Sequence, residues 1–119
     1  MVRGFKDLIV WQRSMDFAVM TYALIKTLPK EENYALADQM RRAAVSVPSN
    51  IAEGHGRNTT KEYIQFLYIA LGSASEIETQ IILGSRLGYF QSIENHLVEI
   101  NEIKKMLNAL ISSLKRKTK

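Results

Sequence analysis

Several kinds of functional residue are scarce or absent in this 119-residue chain. It has no cysteine, which excludes disulfides and thiolate metal sites and fits a cytoplasmic protein. It has only two histidines, and no glutamate is followed three residues later by histidine, the spacing used by di-iron four-helix bundles. Gly-rich phosphate loops and the serine-hydrolase motif are also missing. The sequence therefore predicts a protein that is not an enzyme and that needs no metal or other cofactor.

Long hydrophobic runs are absent as well. The first twenty residues are amphipathic and include Asp7 and Asp16, so they match neither a secretory signal nor a membrane span. The length fits one domain over residues 1–119, with a core large enough to fold without disulfides. We therefore expect a single intracellular domain without a membrane partner.

Four segments instead repeat apolar residues at alternating spacings of three and four, which is typical of amphipathic helices. The predicted helices cover about residues 7–28, 32–55, 60–87 and 92–115, followed by a basic tail at 115–119. No segment shows the alternation of a β-strand. Long helices with short connections predict an all-α fold, an up-down-up-down antiparallel four-helix bundle.

The second segment keeps its apolar spacing across a proline. Pro48 in a helix interior removes a hydrogen bond and costs roughly 3 kcal/mol, so we expect a kinked helix held by packing on both sides. The Asn50 amide or nearby hydroxyls could compensate for the lost bond. Glu53 and Arg57 have the spacing of a helical ion pair. These four residues form the predicted structural motif of the bend.

The first segment has two apolar stripes. One contains Leu8, Trp11, Met15, Ala18, Tyr22 and Ile25, and we predict that it faces the bundle core. The other repeats Val10, Phe17 and Leu24 every seven residues with Met20 between them, and Tyr68 lies off the main stripe of the third segment. A second apolar stripe of this kind implies either a wider core or burial against another subunit, and we favour the latter. The sequence thus predicts a homo-oligomer whose interface contains Val10, Phe17, Met20, Leu24 and Tyr68.

The net charge of +4 is distributed unevenly. Residues 103–119 carry six basic and no acidic side chains, whereas residues 1–102 carry ten basic and twelve acidic ones. Such a basic terminus can bind phosphates, although it can also be a solubilising helix end. A second basic pair lies in the predicted second helix, where its alternative role is charge pairing within or between subunits. The predicted nucleic-acid-binding residues are Arg41, Arg42, Lys104, Lys105, Lys115, Arg116, Lys117 and Lys119.

Residues 39–54 read QMRRAAVSVPSNIAEG, and further distinctive stretches lie at residues 5–8, 10–12, 56–57, 61–67, 69–73, 76–80 and 87–89. In this order along the chain, these stretches resemble one protein family, the 23S rRNA-intervening sequence proteins, or four helix bundle proteins. The resemblance covers nearly the whole length and is strongest at residues 39–54. The last helix and tail match only in pattern, so their basic character is not implied by the family.

This resemblance implies a four-helix bundle that assembles into a ring, commonly a homopentamer, and supplies no catalytic residue. The family looks related to the accessory protein of diversity-generating retroelements, a basic pentamer that binds nucleic acid and works with a reverse transcriptase. Together with the basic terminus, the resemblance predicts a non-enzymatic oligomer that binds RNA or another nucleic acid electrostatically. The alternative is an adaptor ring that docks a protein partner such as a reverse transcriptase.

Overall fold

The computed structural model describes residues 4–117. Four α-helices account for most of them: α1 at Ile9–Ile25, α2 at Leu36–His55, α3 at Thr60–Arg86 and α4 at Glu94–Lys117. Short 3₁₀ turns at Phe5–Asp7 and Lys30–Glu32 precede α1 and α2. No strand occurs in the part of the chain described. The all-α prediction is confirmed.

The helices pack as an elongated antiparallel bundle of 48 × 24 × 22 Å. Each helix contacts two neighbours, so that α1 lies beside α2 and α4, and α3 also lies beside α2 and α4. The four helices therefore occupy the corners of a square in cross-section, with α2 diagonal to α4. This arrangement decides which surface residues can act together.

Local sequence signals explain the ends of α3. Thr59 is its N-cap, and its Oγ1 accepts a hydrogen bond from the Glu62 backbone N at 3.1 Å. Beyond the last turn, Gly88 adopts a φ of +85°, the left-handed conformation that glycine accepts without strain. The chain then turns back, and the Phe90 ring is buried against Gly84.

The core follows the predicted spacing in α2. Pro48 lies inside the helix, which continues on both sides of it, and the Pro48 side chain is buried. The apolar residues of α2 at the three-and-four spacing are all buried: Ala37, Met40, Ala44, Val47, Ile51 and Gly54. In α3, Leu67, Ala70, Ala74, Ile77 and Ile81 have the same spacing and are buried, whereas Tyr63 at the start of this stripe is half-buried.

The prediction for the two faces of α1 is wrong at Val10, Met15, Phe17 and Tyr22, where the structure reverses them, although Ile25 is buried as predicted. Val10 and Phe17, predicted to face away from the core, are only 5% and 1% exposed within the single chain. Met15 and Tyr22, predicted to be core, are 41% and 40% exposed. Of the other predicted interface residues, Met20 and Leu24 are half-buried against the core and Tyr68 is exposed.

The reversal has a chemical cause. The buried face of α1 also contains Ser14 and Thr21, which break its apolar pattern in the sequence. Ser14 Oγ donates to the Trp11 carbonyl and Thr21 Oγ1 to the Phe17 carbonyl, each at 2.9 Å. Because each hydroxyl is satisfied by its own helix, both residues can be buried at little cost.

Candidate functional site

Three of the four seams between neighbouring helices are closed by polar links. Arg13 on α1 makes a two-pronged ion pair with Glu99 on α4, at 2.7 and 2.9 Å. The hydrogen bond to Glu99 raises the pKa of the Arg13 guanidinium. Lys104 on α4 pairs with Glu78 on α3 at 2.8 Å. These contacts tie α4 to both of its neighbours.

The α2–α3 seam is linked through hydroxyls. Ser46 and Ser73 share a hydrogen bond of 2.7 Å between their Oγ atoms. The Asn50 amide donates to the Ser46 carbonyl at 2.8 Å and to Ser46 Oγ at 2.9 Å. Asn50 therefore organises this seam and binds the Ser46 carbonyl rather than the Ala44 carbonyl that Pro48 leaves without a donor.

The fourth seam, between α1 and α2, is open and apolar. No hydrogen bond or ion pair joins these two helices in the described region, and a groove of about 610 Å³ runs between them. The α1–α2 groove is lined by Trp11, Met15, Ala18, Val19, Tyr22, Val45, Pro48, Ser49 and Ala52. Ser49 is the one polar residue among them. An apolar depression of this kind is typical of a surface that another molecule covers.

A basic residue lies at one end of this groove. Tyr22 and Val45 also line an adjoining depression that contains Arg41 and Arg42. Arg42 is exposed and pairs with Asp38 at 3.3 Å. Arg41 is half-buried and makes no ion pair or hydrogen bond with any residue from 4 to 117. The groove therefore ends at a cation that has no partner among the described residues.

The predicted nucleic-acid residues on α4 fall into two groups. Lys104 is committed to Glu78, and Lys105 lies 3.6 Å from Glu102. Lys115, Arg116 and Lys117 are exposed at the end of the helix. These three residues form the surface that we call the basic end. Lys119 lies outside the described residues.

Within the basic end, one side chain has a defined position. Lys115 Nζ donates to the Tyr68 hydroxyl at 2.5 Å and lies 5.1 Å from the centre of its ring. This contact fixes Lys115 on α3 and joins a predicted interface residue to a predicted phosphate-binding residue. Arg116 and Lys117 have no ion-pair partner among residues 4–117.

The structure does not bring Arg41 and Arg42 together with the basic end. Arg41 and Arg42 lie near the start of α2, whereas the basic end closes α4 on the diagonal corner and at the opposite end of the bundle. One protomer therefore carries two separated basic regions. A single phosphate-binding patch containing all the predicted residues is excluded by this arrangement.

The remaining predicted motif residues have structural contacts. Glu53 pairs with Arg57 at 2.7 Å, and the Arg57 guanidinium lies 4.7 Å from the centre of the Phe66 ring. Pro48 contributes to the floor of the α1–α2 groove. His96 and Glu99 are three residues apart on α4 but do not act together, because Glu99 binds Arg13 and the buried His96 Nδ1 has no hydrogen-bond partner among the described residues.

Two classes of site are not found in the described part of the chain. No group of three or more histidine, cysteine or acidic residues is placed to hold a metal ion. No helix there is long and apolar enough to cross a membrane.

Sequence reasoning missed the α1–α2 groove and the unpaired cation at its end. Both stripes of α1 were recognised as apolar, but spacing alone does not say which stripe faces inward. The signal that could have separated them is hydroxyl chemistry, since Ser14 and Thr21 can hide on a core face by bonding to their own helix.

The chain shares its fold and sequence pattern with known proteins. A family model for the 23S rRNA-intervening sequence proteins matches residues 6–109. A crystal structure from Bacteroides thetaiotaomicron, a protein of unknown function from the S23 ribosomal protein family, superposes with a TM-score of 0.80. It is 29% identical, and the match covers 87% of this chain and 98% of that one. No curated protein matches the chain. On the extent of the family match, this chain belongs to the 23S rRNA-intervening sequence protein family.

Proposed function

We propose that the protein is a non-enzymatic, oligomeric helical bundle that binds RNA or another nucleic acid electrostatically through its basic end. The observation that carries this proposal is the exposure of Lys115, Arg116 and Lys117 at the end of α4. No acidic residue occurs from position 103 to the end of the sequence. The cations at this end therefore have no acidic neighbour nearby in the sequence to compete with phosphate.

The chemistry of the basic end favours binding without sequence preference. Lysine and arginine neutralise phosphates and release counterions, which is independent of base identity. Tyr68, the aromatic residue in contact with the basic end, is 45% exposed, but Lys115 engages its hydroxyl and its ring, so it is not free to act as a stacking platform. Repetition in an oligomer would add avidity to a weak site. A ring, and a pentamer in particular, is what the family resemblance implies.

The salt dependence of binding tests the proposal. Neutralising Lys115, Arg116 and Lys117 to Gln removes up to three phosphate contacts per protomer. The slope of log K against log salt for single-stranded RNA should then become less steep by up to ~2 per protomer engaged, since each contact contributes about 0.7. Fluorescence anisotropy with labelled RNAs of several sequences at 50–200 mM salt measures this slope and the expected lack of sequence preference.

A matched control separates the basic end from net charge. Lys26, Lys30 and Arg86 are exposed at the opposite end of the bundle and can be changed to Gln together. This triple variant has the same total charge as the first and should retain the wild-type salt slope. Equal weakening by both variants, or unaltered binding by the basic-end variant, would contradict the proposal.

The adaptor alternative is favoured by a different observation, the α1–α2 groove, whose lining is nearly all apolar and therefore suits protein better than phosphate. Purification with and without nuclease distinguishes the two functions. Nucleic acid that copurifies and absorbs at 260 nm supports the first. A protein partner retained after nuclease treatment supports the second.

A further inference from the structure

The outer side of α3 carries a ridge whose features the protomer does not explain. Ile69 and Leu83 are 51% and 47% exposed, and exposed Glu76 lies between them without an ion pair among residues 4–117. Gly72 is on the same side, because residues spaced by three or four share a helix face. We call Ile69, Gly72, Glu76 and Leu83 the α3 ridge.

Gly72 is the most informative member of the ridge. It lies in the interior of a 27-residue helix, where glycine is less favourable than alanine. A Cβ added at Gly72 would meet no atom within 4 Å, so nothing inside the protomer requires a glycine here. By contrast, a Cβ at Gly54 would lie 2.7 Å from the Phe66 Cβ. A residue without a side chain at an exposed position allows another backbone to approach closely.

The α3 ridge and the α1–α2 groove are complementary in shape and charge. The ridge is a narrow apolar strip with a low point at Gly72 and an unpaired carboxylate, and the groove is an apolar channel ending at the unpaired cation of Arg41. Ile69 can enter the channel while Glu76 approaches Arg41. The ridge thus offers an apolar side chain and a negative charge, and the groove offers an apolar channel and a positive charge.

The two surfaces also lie at matching heights along the bundle. The Ser46–Ser73 hydrogen bond sets a common level on α2 and α3. Because these helices are antiparallel, Arg41, five residues before Ser46, and Glu76, three residues after Ser73, are displaced in the same direction. At 1.5 Å per residue their levels differ by about 3 Å.

The same offset holds for other pairs. Counted in the same way from the Ser46–Ser73 bond, the levels of Val45 and Gly72 differ by about 3 Å. The levels of Pro48 and Ile69 differ by about 3 Å in the same direction. Two copies placed side by side with their bundle axes parallel therefore bring Ile69, Gly72 and Glu76 against the groove from Pro48 to Arg41 with one small shift.

We propose that the α3 ridge of one copy docks in the α1–α2 groove of the next copy, with Glu76 paired to Arg41 across the contact. The inference rests on the oligomer in the proposed function and identifies its interface. Because ridge and groove are different surfaces, the contact is heterologous and repeats head to tail. They lie on neighbouring sides of the square cross-section, so the repeat turns at each step, as a ring requires. Across this contact, Glu76 gives Arg41 a partner that residues 4–117 of its own chain do not provide.

Charge reversal tests the pairing. Arg41→Glu and Glu76→Arg should each raise the dissociation constant of the oligomer by at least roughly tenfold, and the double variant should return most of the affinity. Arg42→Glu is the matched control, because this substitution makes the same charge change one residue away. Arg42 pairs with Asp38 within its own helix and is not part of the proposed contact. It should assemble like the wild type. Sedimentation equilibrium over a range of concentrations measures each constant.

A second variant tests the close approach without altering charge. Gly72→Gln places a good helix former at an exposed position, so the protomer should fold normally by circular dichroism while the oligomer dissociates. A photocrosslinking amino acid at Val19, which is 70% exposed in the groove, should crosslink to α3 of a second copy.

The outcomes distinguish this interface from the oligomer itself. A wild-type protein that stays monomeric at every concentration overturns both the proposed oligomer and this interface. A wild-type oligomer that survives both charge reversals and Gly72→Gln overturns the interface alone. Single reversals that weaken assembly without mutual rescue overturn the Glu76–Arg41 pairing. Crosslinks from Val19 to a different protein, with none to α3, assign the groove to an adaptor role and overturn the inference.

Discussion

The α1–α4 seam and the α1–α2 seam share a helix but are built in opposite ways. Arg13 and Glu99 close the first with two charge-assisted hydrogen bonds, whereas the second is a groove lined by aromatic and aliphatic side chains with no polar link in the described region. A seam closed by an ion pair is complete within one chain. The α1–α2 seam leaves apolar surface in water, and covering it favours association. The comparison shows that α1 is closed against α4 by contacts within the chain, whereas its side toward α2 exposes apolar surface that another molecule can cover.

The largest effect should come from a comparison of truncations on the two faces of α1. Phe17→Ala empties a fully buried site and should lower the free energy of unfolding by about 3–5 kcal/mol. Met15→Ala truncates a side chain that is 41% exposed and should cost less than about 1 kcal/mol while weakening assembly. Urea denaturation measures the free energy of unfolding of each variant. The protein concentration is kept the same for both, since association also stabilises the folded state. A larger loss for Met15→Ala than for Phe17→Ala would support the face assignment expected from spacing.

Glycine substitutions should give smaller changes of opposite sign. Gly54→Ala would place a Cβ 2.7 Å from the Phe66 Cβ and 3.2 Å from the Tyr63 carbonyl oxygen, so overpacking should destabilise the protein by about 1–3 kcal/mol. Gly72→Ala meets nothing within 4 Å and should stabilise the protomer by about 0.5–1 kcal/mol. Thermal unfolding at a concentration where the protein is monomeric compares them. Destabilisation by Gly72→Ala would mean that α3 is constrained at this position inside the protomer.

The ion pair of the α1–α4 seam should have the smallest effect. Its side chains are 37% and 24% exposed, so water screens part of the attraction. A double-mutant cycle with Arg13→Ala and Glu99→Ala should give a coupling energy of about 0.5–1 kcal/mol, measured by denaturation at low and high salt. A coupling near zero at low salt would show that this seam, too, depends on apolar packing.

The predictability of the fold varied between helices for physical reasons. In α2, every position of the core stripe holds an apolar residue at the helical spacing. That spacing therefore identified the buried residues from Ala37 to Gly54 correctly despite Pro48. The start of α3 also depends only on local sequence, because Thr59 and Glu62 interact within one turn. In α1, the hydroxyls of Ser14 and Thr21 concealed the inward face. Burial there depends on hydrogen bonds that residue type alone does not reveal.

The candidate sites were less predictable, because they depend on which helices are neighbours. Charge counts located Lys115, Arg116 and Lys117, and the helix places them together at one end. The same counts did not show that Lys104 is paired with Glu78 on another helix. Nor did they show that Arg41 lies beside Tyr22, which is a consequence of the α1–α2 packing.

The connection between α3 and α4 constrains how subunits can meet. Phe90 is buried against Gly84, and the Tyr89 hydroxyl donates to Glu32 Oε2 at 2.8 Å, which fastens this loop to the α1–α2 connection. For a helix to swing out and exchange with another chain, both anchors would have to be released. Domain swapping is thus disfavoured, and any assembly should begin from bundles that are already folded and should reverse on dilution without unfolding.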